Sequence, residues 1–290
     1  MVKSTHIVLR AMRVHQWAKN SLLFVPLILS HNLFNQQMFF STLIAFLSYS
    51  LCASAVYIIN DIVDIEADKQ HPTKRNRPIA SGQLSVSFGW GLSVFLFVLA
   101  VIIAWFVSWP FVYVLLAYLT ITSLYSFIFK RIVLIDVLLL SGLYTFRLIA
   151  GGIASGVEVS FWLLVFSLFI FLSLALVKRY SELKNISAEM VKGRGYLKSD
   201  MPLLLNLGIV SGYLSVLVIG LYINDEAVII HYSQPNWLWL VSVSVLFWIS
   251  RIWLVTFRGN MNEDPVMYAI HDRDSLLVLA SCILAIILAL

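Results

Sequence analysis

Apolar residues run almost unbroken through this chain in stretches of about twenty, the length a helix needs to cross a hydrocarbon layer, and few folds tolerate that pattern. Of its 290 residues, 60% are hydrophobic and only 12% charged, with a mean hydropathy of +0.90. Soluble domains carry about twice that share of charge. In lipid the backbone must satisfy its own hydrogen bonds, which favours helices for runs of this length. Counting runs of about twenty apolar residues gives about nine candidate spans: 20–34, 38–60, 83–107, 110–129, 132–154, 160–178, 202–223, 236–257 and 274–290. The expected fold is all-α, a polytopic transmembrane helical bundle. No Pro/Gly/Ser-rich linker divides it, so residues 1–290 read as one membrane domain.

Charge placement gives the bundle a direction. Alternating loops put Lys3 to Lys19, Lys69 to Arg77, Lys130 with Arg131, Lys178 to Lys198, and Arg258 to Arg273 on one side. The opposite loops, 31–37, 108–110, 155–160 and 224–235, hold no Lys or Arg. By the positive-inside rule the basic side is cytoplasmic, placing the N-terminus inside and the C-terminus outside a cell (inner) membrane. The net charge of +5 follows from that orientation and gives no reason to expect nucleic-acid binding. No cleavable apolar core follows Lys3, Arg10 and Arg13, so a signal peptide is not expected. Cys52 and Cys282 sit in apolar runs, where a free thiol behaves as a small hydrophobe. Gly151-Gly152 ends a span and is expected to permit close helix packing.

The chemistry-bearing feature is Asn60-Asp61-Ile-Val-Asp64-Ile-Glu-Ala-Asp68 at the cytoplasmic end of the second span. Asn60, Asp64 and Asp68 are four residues apart, with Asp61 beside the stripe, so on a helix they point one way. Carboxylates crowded on one face need a cation among them, and hard oxygen ligands suit Mg²⁺ completed by substrate phosphates. A solvated acidic helix end is the plainer reading, but Asp opposes the dipole at a helix C-terminus. Directly after it come Lys69, Lys74, Arg75 and Arg77, then Pro78-Ile-Ala-Ser81-Gly82. Cations beside carboxylates suit a metal-bound diphosphate with negative charge to spare. The positive-inside rule alone would also put cations there.

Asn-Asp-x-x-Asp-x-x-x-Asp followed by Arg-Asn-Arg-Pro-Ile-Ala-Ser-Gly resembles the first signature of the UbiA superfamily of intramembrane prenyltransferases, and the nine spans are similar to its fold. Aromatic-substrate members carry a second Asp-x-x-x-Asp after the sixth span. Here the matching place reads Lys178-Arg179-Tyr180-Ser-Glu182-Leu-Lys184, so fixed cations stand where a second metal would be held. This resembles the decaprenyl-phosphate phosphoribosyltransferase branch, as do His15-Gln16-Trp17-Ala-Lys19-Asn20, Leu124-Tyr125-Ser126…Lys130 and Phe146-Arg147-Leu-Ile-Ala150-Gly151-Gly152. The resemblance implies a glycosyltransferase. It would move a 5-phosphoribosyl group from phosphoribosyl diphosphate to a polyprenyl (decaprenyl) phosphate with Mg²⁺, releasing diphosphate. Asn60, Asp61, Asp64 and Asp68 would hold the metal, with the three aspartates catalytic. Lys19, Asn60, Arg75, Arg77, Tyr125, Lys130, Lys178, Tyr180 and Lys184 would bind substrate. Membrane lipids are the other partners, and a homo-oligomer stays open.

Two other readings are open at this point. A UbiA-type enzyme could move a polyprenyl group from its diphosphate to an aromatic or other small acceptor; the missing second acidic motif counts against it. A lipid-phosphate transporter is the third, disfavoured by an odd span count without an internal repeat. Asp136 and Arg147 share a face of the fifth span about 16 Å apart, too far to pair, so each is expected to face the bundle interior or a partner, with Asp136, near the cytoplasmic end, in a position to support the site. For Arg147 a helix carbonyl or another carboxylate is expected. The polar stretches Arg258 to Asp264 and His271 to Asp274 read as helix caps or as a border to the site. His6, His15, His31, His71, His231 and His271 lack metal-ligand spacing.

Overall fold

A computed structural model describes residues 2–70, 73–185, 194–225, 232–261 and 264–290; His71, His231 and Glu263 lie outside them. The described residues are helical, joined by turns, without a β-sheet. Twelve α-helices are used below: α1 Val2–Ala11, α2 Val25–Leu29, α3 Gln36–Val63, α4 Ile65–Gln70, α5 Val86–Trp105, α6 Trp109–Phe127, α7 Ile135–Ser155, α8 Phe161–Lys184, α9 Met201–Ile223, α10 Leu238–Phe257, α11 Pro265–His271 and α12 Arg273–Ala289. Helix starts are marked in the sequence. Asn35, Ser85, Ser160, Asp264 and Asp272 each accept the backbone N–H three residues on, at 2.8–3.3 Å, satisfying an orphan donor.

Among the described residues seven helices of at least 18 residues are apolar enough to cross a membrane. The first of the nine expected spans takes another form, while the last, 274–290, is met by α12. Residues Val14–Phe24 fold as an eleven-residue 3₁₀ helix, followed by the five-residue α2, which ends where His31 turns left-handed at φ 60°. The last, α12, is 17 residues.

The chain divides into two compact units. Unit 1 holds residues 1–127 and 146–159, and α3 is its centre. Small residues line the α3–α5 contact: Ser48 Oγ donates to the Ala100 carbonyl at 2.7 Å, and Ser93 Oγ donates to that of Ala55 at 3.1 Å. On α5 the buried positions are Gly89, Ser93, Leu96, Ala100 and Ala104, while Trp90, Val94, Phe95, Val98 and Ile102 face outward. Large apolar residues outside and small ones inside is what lipid solvation and close backbone approach require.

The long 3₁₀ helix is unusual, because such runs rarely exceed three or four residues. Its register against α3 explains it. Trp17 Nε1 donates to Ser54 Oγ at 3.0 Å, and Asn20 Nδ2 to Ser50 Oγ at 3.0 Å. Three residues of 3₁₀ and four of α both advance about 6 Å, so residues three apart on one meet residues four apart on the other. Leu23, the next in that series, lies against Gly151 of α7 so closely that a Cβ there would fall 2.1 Å from its carbonyl oxygen.

Unit 2 holds residues 128–145 and 160–290. Its core gathers Leu174, Val177, Leu183, Tyr196, Leu204, Ile249 and Trp253. Ser173 Oγ donates to the Gly208 carbonyl at 2.6 Å and accepts from Trp253 Nε1 at 2.9 Å, joining α8, α9 and α10. A Cβ on Gly208 would lie 2.0 Å from the Trp253 ring. Arg251 of α10 grips Asp272 with two bonds of 2.7 and 3.0 Å and reaches Asp274 at 2.7 Å, pinning the start of α12. Burial raises the Asp272 carboxyl, but the bonds from Arg251 and Ser275 outweigh it and hold the pKa at about 2.

Candidate functional site

In unit 1 the acidic stretch straddles a break between α3 and α4 at Asp64. The hydrogen-bond ladder crosses it: Asp64 N–H donates to the Asn60 carbonyl at 2.9 Å, and Asp68 N–H to that of Asp64 at 2.8 Å. The 60-64-68 stripe is thus kept in register. The two buried acids of the stretch are Asp61 and Asp68, two turns apart, with relative exposures of 2% and 4%. Both accept from one nitrogen: Arg77 Nη1 lies 3.1 Å from Asp61 Oδ1 and 2.6 Å from Asp68 Oδ2. Arg77 arrives on extended backbone after the 3₁₀ turn Lys74–Asn76, which Arg10 Nη2 ties down through the Asn76 carbonyl at 2.9 Å.

A second arginine completes the cluster. Arg13 Nη2 donates to the same Asp61 Oδ1, with its guanidinium 5.1 Å from the Tyr57 ring centroid. Arg13 sits at φ 51°, ψ 47°, a left-handed conformation a non-glycine side chain seldom adopts, directly before the 3₁₀ helix. The spacing of the sequence did not single it out, since 48 residues separate it from Asp61. Two buried carboxylates that meet at one cationic nitrogen are a donor set suited to a hard dication, which is often held by one or two carboxylates with phosphates completing the shell. Among the described residues no three Asp, Glu, His or Cys side chains are grouped as a metal site. Asn60 and Asp64 are half-buried beside the pair.

Lys19 is buried next to Asn20, whose Oδ1 accepts from Arg147 Nε at 2.9 Å. The Arg147 guanidinium also lies 5.7 Å from the rings of both Tyr49 and Tyr118. An amide oxygen and two aromatic faces thus help to hold this cation. An Asn in an N-terminal motif gave no sign of that role. Arg75 is exposed, and Tyr125 is half-buried near the end of α6.

In unit 2 the segment from Lys178 to Lys184 closes α8. Arg179 turns inward, with 1% exposure, and its Nε donates to Asp136 Oδ2 at 2.5 Å while Nη1 donates to Glu182 Oε2 at 2.5 Å. Tyr196 OH donates to Asp136 Oδ1 and accepts from Leu134 N–H at 2.9 Å. Arg194 adds contacts at 3.5 Å to Asp136 and 3.6 Å to Glu182. Burial and its bond to Asp136 push the Tyr196 phenol well up. Asp136 starts α7, where its charge also suits the helix dipole. Of the expected phosphate groups, Tyr180 packs in the core with its ring edge-on to Trp253. Lys184 Nζ donates to the Phe257 carbonyl, 5.2 Å from that ring centroid and 5.9 Å from that of Tyr180. Lys178 and Lys130 are half-buried. Asp264 and Asp272 cap α11 and α12, as the capping reading of that stretch expected.

Comparison with known proteins identifies the family. The sequence profile described as UbiA prenyltransferase family matches residues 21–272. The chain is 37% identical over 286 residues to the uncharacterized protein y4nM of Sinorhizobium fredii, covering 97% of this chain and 55% of that one. It is 32% identical over 289 residues to the nodulation protein NoeC of Azorhizobium caulinodans, covering 97% and 91%. With the decaprenyl-phosphate phosphoribosyltransferase of Corynebacterium glutamicum it shares 37% over 198 residues, 67% of this chain and 60% of that enzyme. The chain thus spans little more than half the length of two of these relatives. A solved structure of a UbiA homolog from Archaeoglobus fulgidus bound to GPP and Mg²⁺ superposes with a TM-score of 0.69 at 16% identity, covering 97% of this chain and 99% of that one. The chain is a multi-pass membrane protein and belongs to the UbiA prenyltransferase family.

Proposed function

We propose that this protein transfers a 5-phosphoribosyl group from phosphoribosyl diphosphate to a polyprenyl phosphate, releasing diphosphate. The observation that carries the reading is the buried Asp61–Asp68 pair ringed by Arg13 and Arg77, an arrangement matched to a metal-bound diphosphate. Two facts favour a sugar-phosphate donor over a prenyl one. The end of α8 carries Lys178 and Lys184 and no second Asp-x-x-x-Asp, and one relative is a decaprenyl-phosphate phosphoribosyltransferase.

In this account Asn60, Asp61, Asp64 and Asp68 hold Mg²⁺, and Lys19, Arg75, Arg77, Tyr125, Lys130, Lys178, Tyr180 and Lys184 are assigned to substrate phosphates. A bound dication would neutralise charge growing on the departing diphosphate. Arg13 and Arg77, half-buried and able to swing, would grip its outer oxygens. As the C1–O bond of the ribose breaks, C1 gains oxocarbenium character, and an oxygen of the acceptor phosphate forms the new bond. That acceptor is already an anion, so no side chain need remove a proton. We read residues 1–290 as one membrane transferase domain in the cell membrane, with the basic loops and the acidic stretch cytoplasmic and the C-terminus outside.

The structure of a homolog bound to GPP and Mg²⁺ keeps one alternative in play, transfer of a prenyl group from its diphosphate. Purified protein offered labelled phosphoribosyl diphosphate or labelled geranyl diphosphate, each with Mg²⁺ and decaprenyl phosphate or an aromatic acid, separates the two. Labelled lipid from the first donor alone is expected. A prenylated acid and no ribosylated lipid would replace this reading with the alternative.

A further inference from the structure

We infer that Arg13 and Arg77 are built-in counter-cations that make metal binding conditional on diphosphate, so that neither is held well without the other. The inference rests on the proposed site and concerns its regulation. Asp61 and Asp68 are nearly inaccessible, at 2% and 5% side-chain exposure, whereas Arg13 and Arg77 are 22% and 27% exposed. The carboxylates are therefore fixed at the end of α3 and in α4, and the guanidinium groups are the movable charges. They already neutralise the pair: Arg77 Nη1 bridges both acids and Arg13 Nη2 shares Asp61 Oδ1.

Consider each ligand by itself. A dication entering alone must take oxygens from two guanidinium groups and leave both beside it, like charge against like charge with no new partner. A diphosphate entering alone can attract the arginines, but that strips two buried carboxylates of their cations and sets another anion next to them, the costly case of an uncompensated buried charge. When both enter, the dication takes the carboxylates and the arginines take the diphosphate, and each charge keeps an opposite partner. The two bindings are thus coupled through the exchange of Arg13 and Arg77. By linkage the coupling is reciprocal: the factor by which diphosphate tightens the metal equals the factor by which the metal tightens diphosphate.

The left-handed backbone of Arg13 has a place here. Strain at φ 51° persists where the surroundings over-determine it, and here it aims a side chain from outside α3 at the carboxylate of its last turn. On the basic side of Arg77, the turn Lys74–Asn76 is anchored through its carbonyl by Arg10, so the backbone stays put while the side chain exchanges partners.

The test is a binding measurement with the full chain in detergent or nanodiscs, using Mn²⁺ as the metal probe and inorganic pyrophosphate as the anion. Bound Mn²⁺ is read by electron paramagnetic resonance at fixed free Mn²⁺, with and without pyrophosphate. Pyrophosphate should tighten Mn²⁺ by roughly tenfold or more, within the 5–150-fold span usual for coupled sites. Arg77→Gln should bind Mn²⁺ alone more tightly than the unaltered protein and lose most of the pyrophosphate effect. Arg77→Lys, which keeps the charge, should retain part of it and controls for folding. Equal Mn²⁺ affinity with and without pyrophosphate in the unaltered protein would overturn the coupling while leaving the metal site standing. Pyrophosphate enhancement unchanged in Arg77→Gln would overturn the role of the arginine. No bound Mn²⁺ in any arm would remove the proposed metal site as well.

Discussion

Asp136 shows what a single charge does when it is fully buried. It has no measurable exposure and holds Arg179 at 2.5 Å, with Tyr196 and Arg194 around it. Removing Asp136 leaves Arg179 with Glu182 and takes a partner from Tyr196 and Arg194, a loss of up to about 3–5 kcal/mol, the scale for breaking a buried pair. Asp136→Ala is therefore expected to lower the midpoint of thermal unfolding sharply, measured on the detergent-purified protein. Asp136→Asn, which still accepts from Tyr196, should lose less. An unchanged midpoint in the Ala variant would mean the network carries no stability. At this scale the sequence was partly legible. Residue spacing found Asp61, Asp64 and Asp68 and turned Asp136 toward the bundle interior, without naming Arg179 or Tyr196 as its partners. It did not single out Arg13, because a left-handed arginine outside a helix has no periodic signature, and it gave no sign that Asn20 would be a partner of Arg147.

Among the helices, close packing rests on a few glycines whose roles the structure separates. A Cβ on Gly151 would fall 2.1 Å from backbone of the 3₁₀ helix, while one on Gly91 meets nothing within 4 Å. Gly151→Ala should destabilise or displace the 3₁₀ helix, seen as a lower melting temperature and faster proteolysis after Arg13. Gly91→Ala should be neutral or gain up to about 1 kcal/mol from helix propensity. Similar effects of the two would contradict the packing described. The clasp of Arg251 on Asp272 predicts a pH response. The Asp272 pKa is depressed from 3.8 to about 2, so its contribution is complete above roughly pH 4 and is lost as the pH falls through about 2. Accordingly, cleavage sites near α11 and α12 should stay protected from pH 7 down to 4 and open only below. In Asp272→Asn they should be open already at pH 7. The Gly151-Gly152 pair was readable as a packing device. The 3₁₀ geometry of residues 14–24 was not, because its cause is a register with Ser50 and Ser54 and not a local preference.

For the whole molecule, hydropathy alone gave the class of fold, since seven helices meet the length and apolarity of a membrane span. The expected span that took another form is the first, 20–34, where apolar composition does not report the helix type; the last, 274–290, is the helix Arg273–Ala289. The family is shown by sequence and the fold by superposition. The most direct test is to reconstitute the full chain with decaprenyl phosphate, Mg²⁺ and ribose-labelled phosphoribosyl diphosphate, and to count labelled lipid beside Asp61→Asn and Asp68→Asn. The account predicts one labelled lipid per diphosphate released, with the rate falling by roughly a hundredfold or more in either variant, the scale seen when an electrostatic contributor is removed. No labelled lipid from the unaltered protein, or the same yield from both variants, would contradict it.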